Sequence, residues 1–388
     1  SFSFSSSSSI LFLLFSISIA ATSFTPKSLV LPVIKHPSLQ YIIQIHQRTP
    51  LVPVNLTVDL GGRFMWVDCD RGYVSSSYKP ARCRSAQCYL AKSISCGKCY
   101  LPPHPGCNNH TCHLPAENTV IQLSSSGEVT SDVVSVSSTN DFNPTRALSV
   151  HNFLFVCSST FLLEGLAGGV TGMAGFGRTR ISLPSQFAAA FSFNRKFTVC
   201  LSGSTRFPGV IFSGYGPYHF LPNTDLTNSL TYTPLFINPL GFAGEKSSDT
   251  VNPYTVLEPS IYNALVKTFT TELGNIPRVD AVAPFEVCYS SKSFGSTELG
   301  PGVASIDLIL QNKKVIWRMF GANSMVLVND EVLCLGFVDG GVEAKTAVVI
   351  GAHQIEDNLL EFDLATSRLG FSSTLLGRNT NCANFNLS

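Results

Sequence analysis

Asp59 opens the run Asp59-Leu60-Gly61-Gly62 directly behind the strand-like Leu56-Thr57-Val58, and Phe64-Met65-Trp66-Val67-Asp68-Cys69 follows. A carboxylate at the end of a strand suits acid–base work when it faces a second carboxylate and the two share one proton. Such a pair needs hydrogen-bonding neighbours that fix the carboxyl planes and hold one group ionised. Leu60 and Gly62 bring no hydroxyl to this loop, so Asp59 has no side-chain partner from its own turn. On these four residues alone, a tight turn between strands is an equal reading. The other chemistry-bearing cluster is Cys96-Gly97-Lys98-Cys99 with Cys107, His110, Cys112 and His113 nearby. Thiolates and imidazoles at such spacing can hold zinc, but this spacing matches no standard zinc module. The twelve cysteines are an even number and follow an apolar leader, so disulfides are expected, with no metal and no cofactor.

The elements that must position these residues are mostly strands. Tyr41-Ile42-Ile43-Gln44-Ile45, Val129 to Val136, Phe197-Thr198-Val199-Cys200-Leu201 and Ile306 to Leu310 are short apolar alternations between Gly, Pro, Asn and Ser clusters. Two helices are expected, Leu183 to Ala190 and Pro259 to Leu273, the second with proline in its first turn and Ile261, Leu265 and Phe269 at helical spacing. At 388 residues and 44% hydrophobic content the chain can bury a large core and is expected to form two lobes, divided near Asn194. Only 13% is charged, with 26 basic and 25 acidic residues, so nothing points to nucleic acid as a partner. Residues 1–21, with apolar Ile10-Leu11-Phe12-Leu13-Leu14-Phe15 and small Ala20-Ala21, read as a signal peptide, leaving no membrane span once removed. With Ser1 first and no basic segment ahead of the apolar run, that leader is expected to be incomplete. Asn55-Leu56-Thr57, Asn109-His110-Thr111 and Asn386-Leu387-Ser388 are N-glycosylation sequons, with Asn55 the one closest to a strand and most exposed to steric blockage.

The Asp59 segment resembles the first active-site loop of pepsin-like aspartic proteases, with both hydroxyl residues missing. Gly172-Met173-Ala174-Gly175-Phe176-Gly177 is similar to the segment that threads behind that aspartate. Val348-Val349-Ile350-Gly351-Ala352-His353, Leu360-Glu361-Phe362-Asp363-Leu364 and Arg368-Leu369-Gly370-Phe371 resemble the closing strands of the second lobe. Within that fold the chain resembles the plant secreted group of xylanase inhibitors, xyloglucan-endoglucanase inhibitor proteins, dermal glycoproteins and basic 7S globulins. The carrying residues are Gly61-Gly62 with Asp68-Cys69, the cysteine-dense stretch Cys83 to Cys112, Gly127-Glu128-Val129, Asn252-Pro253-Tyr254-Thr255-Val256-Leu257-Glu258 and Cys382-Ala383-Asn384-Phe385-Asn386. The resemblance implies a mostly β, bilobal fold with few short helices, an N-terminal lobe over 22–194 and a C-terminal lobe over 195–388. It also implies Cys69 paired with Cys157, Cys200 with Cys382 and Cys288 with Cys334. Cys83, Cys88, Cys96, Cys99, Cys107 and Cys112 stay open among themselves.

Aligned on Asn252-Pro253-Tyr254-Thr255, Asp249 falls where the proteases carry their second aspartate, so both carboxylates of a degenerate dyad survive. Three departures argue against catalysis. Val251 stands where glycine is usual, and a β-branched residue cannot easily adopt the angles glycine supplies. No tyrosine lies between Tyr100 and Tyr215, so the hairpin that covers the cleft in active members lacks its usual tyrosine. Leu60 and Gly62 supply no hydroxyl. The chain also passes from Ile237 through Gly241-Phe242-Ala243-Gly244 almost directly to Asp249, a shortening near 237–248 that removes paired strands relatives have.

The resemblance implies a secreted, cell-wall, plant-defence protein that inhibits microbial glycoside hydrolases by inserting second-lobe loops between their paired carboxylates. Arg378, beside Leu376 in the loop before Cys382, and Arg318 in Val315-Ile316-Trp317-Arg318 are the candidate contacts, since a planar guanidinium meets a carboxylate with two hydrogen bonds. For each, a solvated surface charge is the plain alternative. Cell-wall polysaccharide is a further candidate partner. His353 reads as structural, and Trp66 and Trp317 as core or cleft wall, although an aromatic near a cleft can stack on sugar. The competing readings are an active endopeptidase using Asp59 and Asp249, and a wall-associated binding or storage-like globulin without inhibition.

Overall fold

The computed structural model describes residues 26, 28–139, 144–235, 251–342, 344 and 346–385. The expected leader, the shortened stretch 237–248, Asp249 and the Asn386 sequon lie outside the described residues. What is described is mostly β.

Alternation in sequence becomes alternation in burial. Along Tyr41–Gln47, Tyr41, Ile43, Ile45 and Gln47 are buried while Gln44 and His46 face out, the period-2 pattern of a strand with one covered face. The strand Ser28–Lys35 lies near the middle of a large sheet, antiparallel to Tyr41–Gln47 on one side and to Gly209–Gly214 on the other. Lys196–Cys200 joins Gly209–Gly214 to Leu359–Asp363, and Arg368–Phe371 continues the sheet to Thr231–Pro234. Strands from both ends of the chain are therefore hydrogen-bonded into one sheet. One apolar cluster runs beneath it and includes Leu31, Ile43, Val58, Phe197, Trp317, Ile355, Leu360 and Phe371. Removing the C-terminal segment would open that shared core to water, which makes the two halves energetically interdependent.

The two expected helices form at Leu183–Phe191 and Pro259–Leu273. In the second, the Glu258 carboxylate accepts from the Ser260 N–H at 3.0 Å and from the Ile261 N–H, satisfying donors that the first turn leaves unpaired. Its buried face differs from the expected one by a residue. Tyr262 and Phe269 are buried, with Leu265, Val266 and Leu273 packed beside them, whereas Ile261 is exposed. Phe269 continues the rows of both Ile261 and Tyr262, so spacing alone did not choose between them.

Every cysteine is bonded: Cys69–Cys157, Cys83–Cys96, Cys88–Cys112, Cys99–Cys107, Cys200–Cys382 and Cys288–Cys334. Three of the six lie inside residues 83–112, a segment that adds only a short helix, Ala86–Leu90, and the edge strand Ser95–Gly97 to the fold. So short a stretch buries little apolar surface, and crosslinks substitute for a core of its own.

Candidate functional site

Asp59 ends the strand Val52–Asp59, which runs parallel to Gly172–Gly175 with Asp59 opposite Gly175. Gly172–Gly175 in turn pairs antiparallel with Trp66–Asp68. This threading demands glycine on both chains. A Cβ at Gly175 would lie 2.5 Å from the Phe64 carbonyl oxygen, and one at Gly62 would lie 2.9 Å from both the Asp59 Cγ and the Gly175 Cα. A serine or threonine at position 62 therefore has no room in the present loop.

The carboxyl of Asp59 is 3% exposed. Its Oδ1 accepts from the Gly61 N–H at 2.9 Å, and its Oδ2 accepts from the Thr119 hydroxyl at 2.9 Å. Burial pushes the carboxyl up from its ordinary range, and the bonds from Thr119, Gly62 and Gly61 pull partly against that rise. Thr119 was not anticipated from sequence. It sits at the turn between Thr111–Asn118 and Leu123–Thr139, the hairpin that folds over the aspartate.

Three successive residues tie that hairpin down. The Trp66 indole donates to the Glu117 carbonyl at 2.8 Å. The fully buried Asn118 side chain donates to the Leu162 and Glu164 carbonyls, each at 2.8 Å, and Thr119 bonds Asp59. Behind the tip, a Cβ at Gly165 would lie 2.7 Å from the Ile121 Cγ2. The hydroxyl missing from the aspartate's own loop is thus supplied by the hairpin, beneath which Asp59 is buried. Val251, two residues after Asp249, packs against the cluster containing Phe64, Trp66, Met173 and Ile181.

Trp66 and Trp317 are both core. The Trp317 indole donates to Asn358 Oδ1 at 3.3 Å beneath the shared sheet, so neither ring faces a sugar. Asn55 shares its side chain with Gln44 at 3.0 Å and with the Gly169 carbonyl at 3.4 Å, on the wall of a cavity of about 360 Å³ lined also by Ile34, Ile42 and His46. Asn109 is exposed and accepts from the Cys99 N–H at 3.1 Å.

The two candidate arginines differ. Arg318 stands directly across a two-stranded ladder from Asp307, which accepts from its Nε at 2.7 Å and its Nη2 at 2.6 Å. That fork is already engaged. Arg378 is exposed, in the short helical turn Leu375–Arg378, and has no hydrogen bond or ion pair among the described residues. Its loop is anchored on both sides: Leu375 N–H donates to the Asp357 carbonyl at 2.7 Å, Thr380 Oγ1 donates to the Leu221 carbonyl at 2.6 Å, and Cys382 is bonded to Cys200. The neighbouring loops are continuous. A Cβ at Gly377 would touch Leu299 at 3.4 Å, and the Leu299 carbonyl accepts from Ala322, four residues beyond Arg318.

Beneath the Arg378 loop lies a buried charge network that joins both halves of the chain. Glu356 Oε1 meets Lys35 Nζ at 2.6 Å and the Tyr41 hydroxyl at 2.7 Å, and its Oε2 meets His353 Nδ1 at 3.3 Å. Burial pushes Glu356 up, but His353 and Lys35 more than offset it and hold the carboxyl below its ordinary value. Next to it, burial and the Glu356 charge push Asp357 up to about 6, although its Oδ1 accepts from the Cys382 N–H at 2.9 Å. Because the folded chain keeps this proton while the unfolded chain releases it near pH 4, Asp357 lowers stability as pH rises from about 4 through about 6. Asp357→Asn keeps the acceptor and suits the left-handed backbone there, φ 53°. Thermal melts should find the variant equal to the parent at pH 4 and more stable at pH 7, by up to roughly 3 kcal/mol. A difference independent of pH would assign the effect to packing.

Comparison with known proteins places the chain. The family model described as xylanase inhibitor N-terminal matches residues 41–215, and that described as xylanase inhibitor C-terminal matches residues 234–373. A probable aspartic proteinase GIP2 of Nicotiana benthamiana is 56% identical, covering 98% of this chain and 96% of that protein. The crystal structure of edgp superposes with a TM-score of 0.92 at 51% identity, over 94% of this chain and 99% of that one. The aspartic proteinase of Irpex lacteus superposes with a TM-score of 0.60 at 14% identity, over 91% of this chain and 99% of that one, a likeness of fold alone.

Proposed function

Since the chain belongs to the xylanase-inhibitor family of proteins with the pepsin-like fold, we propose that it is a secreted, proteolytically inactive member that blocks microbial cell-wall glycoside hydrolases. The observation that carries the inactive half of this reading is the closed hairpin. Peptide hydrolysis by a carboxylate pair requires substrate and water to reach both oxygens of the shared-proton site. Here Thr119 and Gly61 take one oxygen each, and Glu117, Asn118 and Thr119 hold the cover down.

The inhibitory half rests on Arg378. An unpaired guanidinium at the apex of a loop fixed by a disulfide and by backbone bonds loses little conformational freedom on binding. Glycoside hydrolases present two carboxylates at their active sites, and the arginine fork suits that target. Leu376, half-buried behind it, offers an apolar contact at the loop's base, and Arg318 contributes through the donors that Asp307 leaves free. Secretion and N-glycosylation at Asn109 belong to the same reading.

The test is a titration of the purified protein against fungal xyloglucan-specific endoglucanases and xylanases. Stoichiometric loss of hydrolase activity is expected, weakened about a hundredfold by Arg378→Ala, the range for truncating one partner of a buried charge pair. Arg318→Ala should weaken it far less. A folded sample that inhibits none of these enzymes, or an Arg378→Ala variant as potent as the parent, would remove the assignment. Acid proteolysis assayed on the same sample should be absent.

A further inference from the structure

The residues from Lys79 to Ala116 hold five lysines and arginines, three histidines and no aspartate or glutamate, in a chain whose basic and acidic totals nearly cancel. Folding concentrates that charge on one projection. The bond Cys83–Cys96 brings the Cα atoms of its two residues to 5.8 Å, so Arg82 and Arg84, which flank Cys83, come beside Lys98, two residues past Cys96. Lys92 precedes the edge strand Ser95–Gly97, which is the last strand in the large sheet. All four cationic side chains are exposed, and none has a hydrogen bond or ion pair among the described residues. The carboxylate packed underneath, Glu128, is fully buried. It accepts from Tyr78, from the Asn108 N–H at 2.8 Å and from the Thr111 hydroxyl at 3.1 Å, so it does not reach the surface to neutralise them.

Aromatic and apolar faces are displayed on the same projection. Tyr100 is 94% and Tyr89 82% exposed, with Ile94 fully and Leu101 largely so. Three disulfides hold the segment, so these side chains stand on a rigid base. Arg84 and Lys92 also sit at left-handed backbone positions, φ 63° and 53°, where glycine or asparagine is the relaxed choice. Two of the four cationic side chains therefore stand where the backbone favours smaller residues.

We propose that this disulfide-stapled projection is a binding surface for an acidic polysaccharide, a polymer of uronic acid residues. Regularly spaced carboxylates pair with the exposed Arg82, Arg84, Lys92 and Lys98, and the tyrosine rings lie against the C–H faces of the sugars. Four exposed cationic side chains beside exposed tyrosine rings favour a linear uronic acid polymer over a folded acidic protein, because successive sugars offer both a carboxylate and a C–H face. The surface shares with the preceding reading only the extracellular setting, and it uses none of the residues assigned to hydrolase contact.

Polygalacturonate is the probe, with neutral xyloglucan and polyglutamate as comparisons, in affinity electrophoresis of the intact protein. Retardation by polygalacturonate alone is expected, lost at ~1 M salt, where charges are screened within about 3 Å. The quadruple variant Arg82→Gln, Arg84→Gln, Lys92→Gln, Lys98→Gln and the pair Tyr89→Ala, Tyr100→Ala should each bind at least about tenfold more weakly, about 1.4 kcal/mol. Their thermal melts and hydrolase titrations should match the parent, which separates failure here from failure of the inhibitor reading. Undiminished binding by the quadruple variant, no retardation at low salt, or equal binding to polyglutamate regardless of the tyrosines would overturn the proposal. The last result would indicate an acidic peptide partner.

Discussion

Serine at both Cys200 and Cys382 should lower the stability of the folded chain by about 5 kcal/mol, the chain-entropy value for so long a loop. The bond closes a loop with a sequence separation of 182 residues. Both cysteines are fully buried in a cluster with Val210, Phe212, Tyr218 and Phe385, and Phe385 meets the Phe212 ring edge-on at 4.9 Å. Without the bond the tail can leave as a unit, and the Arg378 loop loses the anchor that follows it. Inhibition should therefore fall along with stability, more than the Arg378→Ala change alone predicts at temperatures near the new midpoint. The comparison that isolates the cause is serine at Cys99 and Cys107, whose separation is 8 residues. That variant should lose only about half as much in denaturant melts. Equal losses for the two pairs would show that local packing, rather than loop closure, sets the stabilisation.

Restoring the hydroxyls at the aspartate loop should not restore a protease. The double change Leu60→Thr, Gly62→Ser is expected to cost roughly 3–6 kcal/mol and to yield no statine-sensitive proteolysis at acid pH. Leu60 is part of the main apolar cluster, so threonine there leaves a void and strands a hydroxyl among hydrocarbon. Gly62 faces the Asp59 carboxyl and the Gly175 backbone, and the serine Cβ would overlap both. Position 62 leaves no room for a hydroxyl-bearing side chain and position 60 is packed among hydrocarbon, so changing the two residues is not expected to yield a protease. A variant with the parent's melting behaviour that cleaves a peptide at acid pH would show that the cleft opens more readily than the bonds at Glu117, Asn118 and Thr119 indicate.

Much of the fold was legible because local patterns carry it. Period-2 burial along Tyr41–Gln47 follows from alternation that any reader of the sequence can see, and Pro259 marks a helix start because its missing N–H falls where the first turn needs no donor. The motifs around Asp59, Gly172 to Gly177 and Gly351 pointed to a pepsin-like architecture because threading one strand behind another leaves no space for a side chain, and glycine records that requirement at each crossing. The degenerate character of the Asp59 loop was likewise visible in Leu60 and Gly62.

Tertiary structure alone decided what became of each charged group. Thr119 is 60 residues from the carboxylate it bonds, and nothing in its local pattern marks it. Arg318 and Arg378 were both candidate contacts until the ladder set Asp307 opposite Arg318, while Arg378 has no hydrogen bond or ion pair among the described residues. The scattered Arg82, Arg84, Lys92 and Lys98 became one surface only when disulfides folded the segment back on itself. Secondary structure follows from interactions a few residues apart, which the sequence by itself determines. The partner of a carboxylate or a guanidinium depends on which distant segment arrives beside it, and in this sheet-rich chain that is settled by the long-range pairing of strands.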